Sequence, residues 1–180
     1  MPRTLRLPAA VLLAALALAG CTTPTPMPTP PPTPDAAPVF ASEEEALAAA
    51  EEAYGRYLST VAKVLADGAR SPERLLNHVS EDLYARDLAG YQEFAERHWR
   101  ANGQISFTMK LQQVDYFSGV IVAYTCEDRS DFDVVDVHDK SVVPVDQLAK
   151  SAFEVTVMWT GKSLIVTNQE SWNGNGVCSE

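Results

Sequence analysis

Two hydrophobic periods meet at Gly103. Upstream, Leu47, Ala50, Tyr54, Tyr57, Leu58, Val61, Val64 and Leu65 recur at the spacing of one buried helix face. Downstream, Ile105, Phe107, Met109 and Leu111 alternate with Ser106, Thr108, Lys110 and Gln112, as a half-buried strand does. Helices followed by strands, with no βαβ pattern and no internal repeat, predict an α+β domain in which helices cover one face of an antiparallel sheet.

Local signals place the elements. Ser42 followed by Glu43, Glu44 and Glu45 reads as a capping box at the positive end of a helix dipole, and Gly68 supplies the stop. Gly55 inside this helix costs about 1 kcal/mol relative to alanine unless something packs closely against it. Ser71-Pro72-Glu73 opens a short second helix, with proline at its first position. A third is expected from Ser80-Glu81-Asp82 to Asn102-Gly103, with Leu83, Leu88, Tyr91, Phe94, Ala95 and His98 on its inner face.

The strands follow. A long one from Ile105 slips register near Gln112-Gln113, as a bulge would cause, and Ser118-Gly119 turns the chain. Val120, Val122, Tyr124 and Cys126 form the next expected face. Asp133 to Val137 and Val142 to Val145 read as a minor hairpin turning at His138-Asp139-Lys140. A strand through Phe153, Val155, Val157 and Trp159 then turns at Thr160 to Ser163 into a last strand, Leu164 to Trp172.

Ahead of this domain lies a different kind of sequence. Arg3 and Arg6 precede an apolar run from Leu7 to Ala19, shorter than the roughly 20 residues a spanning helix needs. It ends in Leu18-Ala19-Gly20-Cys21, which resembles the lipobox of bacterial lipoproteins. The resemblance implies cleavage before Cys21, a diacylglyceryl group bearing fatty acyl chains such as palmitate on its thiol, and a protein lipid-anchored at the bacterial cell membrane, facing the outside of the cytoplasm. Thr22 to Pro38 is threonine and proline with almost no apolar content, and reads as an extended tether. The expected organisation is a signal peptide over 1–20, a lipidated tether over 21–40 and one domain over 41–180.

The whole sequence carries 14 basic and 24 acidic residues, a formal charge of −10. Loss of Arg3 and Arg6 with the signal would leave 12 basic residues and a charge of −12. Such a surface repels phosphates, which argues against nucleic acid and leaves membrane contact to the lipid on Cys21. Of three cysteines, assigning Cys21 to lipid leaves Cys126 and Cys178 as a candidate pair, the alternative being two free thiols. A bridge closing roughly 50 residues would stabilise by about 4 kcal/mol in the chain-entropy model.

Helices followed by a long, bulged antiparallel sheet resemble the cone-shaped fold of the cystatin-like, nuclear transport factor two-like and ketosteroid isomerase-like superfamily. The chain is also similar to small actinobacterial exported lipoproteins. That likeness rests on the lipobox, the Pro/Thr tether, Tyr124-Thr125-Cys126, Asp133 to Asp136, Glu170 to Trp172 and Gly176 to Cys178. It implies three N-terminal helices packed on a strongly curved sheet, with a cavity at the wide end.

Candidate walls of that cavity are Tyr54, Tyr57, Tyr91, Phe94, Tyr124, Trp159 and Trp172, with Asn168 on the last strand. The same aromatics would serve equally as plain core. The expected function is a non-catalytic module that binds a small hydrophobic ligand, a protein partner or a second copy of itself. The alternative is an enzyme of the isomerase or dehydratase type, in which His98 and Glu170 move protons. The acidic run Asp128, Asp131, Asp133, Asp136 and Asp139 lacks the glycine and closing glutamate of an EF-hand, so no metal and no cofactor are expected.

Overall fold

The computed structural model describes residues 37–174 and 176–178, so the expected signal, the lipidated Cys21 and most of the tether lie outside the described residues. Helix α1 spans Glu43–Ala66 and a 3₁₀ turn spans Pro72–Asn77. Helix α2 covers Glu81–Glu96. The strands are β1 (Arg100–Gly103), β2 (Ser106–Asp115), β3 (Val120–Asp128), β4 (Phe132–Val135), β5 (Lys150–Trp159) and β6 (Leu164–Ser171).

β2, β3, β5 and β6 form a four-stranded antiparallel sheet in that order, and β1 pairs with β4 in a separate two-stranded one. The α1 face formed by Ala46, Ala50, Ala53, Tyr54, Tyr57, Leu58, Val61 and Val64 is buried. It shares one apolar core with Met109, Ile121, Ala123, Val155, Val157 and Val166 of the large sheet.

Both helix ends follow their chemistry. Ser42 Oγ accepts from the Glu45 amide at 3.1 Å, and Glu45 Oε2 reaches back to the Ala41 amide at 2.7 Å. At the other end Gly68, at φ +72°, occupies the left-handed seat of a Schellman motif. Its amide donates to Leu65 O, and the Ala69 amide to Val64 O.

α2 stops earlier than its periodicity suggests. A second Schellman motif closes it: the His98 amide donates to Ala95 O and the Trp99 amide to Phe94 O. The Phe94 and Trp99 rings meet edge to face at 5.8 Å across this end. Here the left-handed position is held by His98, at φ +54°, where glycine is usual. A capping motif without its usual glycine gives no stop signal in the sequence, so residues 100–102, expected to be helical, instead begin β1. Gly103 then lets β1 run against β4, because a Cβ there would lie 1.7 Å from Asp131 O. Val142 to Val145, expected as half of a hairpin, form no strand, and only Ser141 bridges Val135.

The expected slip in β2 is present between Leu111 and Gln113. A second one was not anticipated. Val157 pairs with Val166 and Thr156 with Asn168, so Thr167 is one residue too many on β6. A one-residue insertion reverses which face the following side chains reach.

Candidate functional site

On β3 Ile121, Ala123, Thr125 and Glu127 are buried, the set opposite in parity to the expected Val120, Val122, Tyr124 and Cys126, of which Cys126 alone is also buried. A carboxylate thereby enters the core, because the register brings Glu127 opposite Phe107 of β2. Glu127 has no solvent exposure. Its Oε1 accepts from the Tyr54 hydroxyl at 2.5 Å and from Gln169 Nε2 at 2.8 Å. Gln169 Nε2 also lies 2.9 Å from the Tyr54 oxygen, and Gln169 Oε1 accepts from the Tyr57 hydroxyl at 3.1 Å. Oε2 takes Arg129 Nη2 at 2.5 Å, and that guanidinium sits 5.5 Å from the centre of the Phe153 ring.

Five side chains from α1, β3, the segment after β3 and β6 thus share one polar cluster. A buried carboxylate is tolerated only when paired and hydrogen-bonded, and here both oxygens are. Burial, then the charge of Glu127, holds the Tyr54 hydroxyl well above its ordinary value. Burial, then Tyr91 and Asp87, does the same for Tyr57. Tyr91, half-buried, is pushed up to about 12, first by burial and then by Asp87. Thr125 Oγ1, fully buried beside this cluster, completes no hydrogen bond of its own among the described residues.

The sequence-predicted wall residues divide. Tyr54 and Tyr57 lie in the core with their rings 5.7 Å apart, Phe94 is buried near Trp99, and Tyr91 packs against the core partly exposed. Tyr124 is on the other side of the sheet, where its ring meets Trp172 at 4.5 Å. Trp159 lies at the end of β5, 37% exposed, beside Gly119 and Val39. Asn168 and Glu170 were expected to continue the buried face of Leu164 and Val166. The extra Thr167 turns them away, and Gln169 enters the core in their place.

Asn168 Oδ1 instead accepts from Arg86 at 3.0 Å, and Asn168 Nδ2 donates to Glu170 at 3.1 Å. The proposed proton-moving pair is not brought together: His98 is an exposed helix terminus and Glu170 is an exposed strand residue. Cys126 and Cys178 are bridged, tying the C-terminal segment to β3.

Sequence reasoning missed Glu127, Gln169 and Arg129. One signal was within reach: Glu127 shares parity with Ile121 and Ala123, both apolar, so that face was as consistent with a strand as the other.

Apolar space lies elsewhere. A groove of about 420 Å³ runs between α1 and the segment after β3, lined by Val61, Leu65, Ile105, Phe132, Val134 and Leu148 among others. Arg129 is the one charged residue of its lining among the described residues. A second hollow of about 330 Å³, including Phe94, Trp99, Val142 and Pro144, shares Val134, Val143 and Gln147 with it, so the two adjoin. Neither is lined by Tyr54, Tyr57, Glu127 or Gln169.

Among the described residues no group of three or more His, Cys, Asp or Glu could hold a metal ion, and no helix is long and apolar enough to cross a membrane. Compared with protein-family models, with curated proteins and with solved structures, the chain matches none.

Proposed function

We propose that this chain is a lipid-anchored, extracytoplasmic bacterial protein whose domain, of the cone-shaped nuclear transport factor two-like kind, binds a small hydrophobic ligand without transforming it. The observation that carries the binding reading is the pair of adjoining, mainly apolar hollows bordered by α1, α2 and residues 129–149. Their volumes are in the range of small-molecule sites, roughly 300 to 1,000 Å³. A stable protein partner would need on the order of 800 Å² from each side, which a groove of this kind does not offer by itself. Against catalysis, the buried carboxylate Glu127 has both oxygens engaged within its own cluster, and neither hollow is lined by it. The lipobox at Cys21 and the tether support the location.

Native mass spectrometry of protein taken from membranes, together with displacement of an environment-sensitive apolar dye, tests the reading. Val143→Glu should weaken dye binding at least tenfold, while Leu76→Glu on the 3₁₀ turn should not. Equal binding by both variants and wild type would place the ligand elsewhere, and a concentration-dependent dimer lost in Val143→Glu would favour self-association.

A further inference from the structure

Arg129 occupies an unusual position in this groove. Among the described residues it is the only charged one in the lining, its side chain keeps 29% of its surface, and the carboxylate that neutralises it keeps none. Nη2 is spent on Glu127, and the remaining guanidinium N–H groups meet no acceptor among the described residues. The guanidinium is held in place by what lies behind it. Glu127 is pinned through its other oxygen by Tyr54 and Gln169, and the Phe153 ring lies against the guanidinium. The buried polar cluster therefore acts as a mount for a fork of hydrogen-bond donors in the lining of a mainly apolar groove.

The charge balance decides what that fork selects. Glu127 and Arg129 cancel, so an incoming carboxylate would place a net negative charge in a partly desolvated site. It would also approach a chain that already carries −10. An uncharged acceptor oxygen would satisfy the free donors and leave the pair neutral. A plain hydrocarbon would bury them unsatisfied.

Resting on the groove as the ligand site, we propose that Arg129 is a specificity-determining residue, positioned by Glu127, that selects an uncharged apolar molecule bearing one acceptor oxygen, of the acyl-ester class.

The test compares methyl octanoate, octanoate and octane, which share a chain and differ in the head, by dye displacement from the full-length protein. Methyl octanoate should bind about tenfold or more tightly than either of the others, the scale of one hydrogen bond to a charged donor. In Arg129→Met combined with Glu127→Gln, which keeps the site neutral, that preference over octane should vanish while octane binding stays. Arg129→Lys, which keeps the ion pair but loses the fork, should retain only part of it.

Equal binding of ester and alkane by wild type would overturn the role of Arg129 and leave the groove reading standing. Tightest binding by octanoate would overturn the uncharged head. Failure of all three to displace dye from wild type would sink the groove itself. Should the double variant not fold by circular dichroism, the wild-type ligand series and Arg129→Lys still decide the matter.

Discussion

Glu127 holds its place through partners that are each replaceable singly. Tyr54→Phe removes the donor to Oε1 and leaves Gln169 alone on that oxygen, so urea unfolding should show a loss of about 1 to 3 kcal/mol. Combining it with Gln169→Leu should cost more than the sum, since the two share one acceptor and the double variant leaves that buried carboxylate oxygen with neither donor. The tyrosines also set a pH dependence. Burial raises Tyr54, Tyr57 and Tyr91 in the folded chain, so each stays neutral where its unfolded counterpart ionises. The unfolded state then releases protons that the native state keeps. Stability should be level below the ordinary value of 10.0 and fall above it, Tyr91 ceasing to contribute beyond about 12. Each tyrosine adds about 1.4 kcal/mol per pH unit within its window. Denaturation followed from pH 8 to 11.5 should show the decline, and Tyr54→Phe should make it shallower. His98 belongs to a different category. It fills a glycine seat at a helix end, so His98→Gly should leave thermal stability unchanged or slightly raised and leave dye binding intact. A large loss of binding in that variant would restore His98 as a functional residue.

Among the elements, α1 was the most legible, because its cap, its acidic first turn, its apolar stripe and its terminal glycine all agree. Gly55 is its one dissonant residue. A Cβ there would meet Phe107 at 3.7 Å, ordinary contact, and its φ is not in the left-handed region. Gly55→Ala should therefore raise stability by up to about 1 kcal/mol, read as a higher urea midpoint with an unchanged slope. The strands were legible in existence and not in facing. β3 alternates Val, Ile, Val, Ala, Tyr and Thr, with side chains fit for burial at both parities, so periodicity alone could not choose the inner side. On β6 the first two inward residues, Leu164 and Val166, were correctly read, and one unpaired threonine inverted everything after them. A bulge in the middle of a β-branched run carries no glycine and no proline to announce it. That is why Asn168 and Glu170 were expected where Gln169 stands. The bridge was one of the two readings left for Cys126 and Cys178 once Cys21 is assigned to lipid. Its reduction, closing a separation of 52 residues, should lower stability by about 4 kcal/mol in the same assay with and without reductant.

For the whole molecule, the division into a helical and a sheet-forming half could be read at Gly103, while the pairing of β1 with β4 could not, because it depends on two segments 30 residues apart that each look like something else. The cell address stands on the N-terminal residues: Cys21→Ser should abolish fatty-acid labelling in a bacterial host, and persistence of the label would remove the anchor from the proposal. The buried carboxylate has a further consequence in time. Its hydrogen-bond partners on α1 and β6 lie 73 residues before it and 42 after, so neither sits beside it in a chain that has formed only its local structure. Until both ends of the domain arrive, Glu127, near the open end of the β2–β3 hairpin, has only Arg129 two residues on to pair with, and any collapse that buries β3 early must strip the water from its other oxygen without compensation. The residue that completes the finished core thus penalises its premature assembly. Replacing Glu127 and Arg129 together with leucine should accelerate refolding after dilution from urea while admitting more off-pathway aggregate, so speed and fidelity of folding would part company at a single strand.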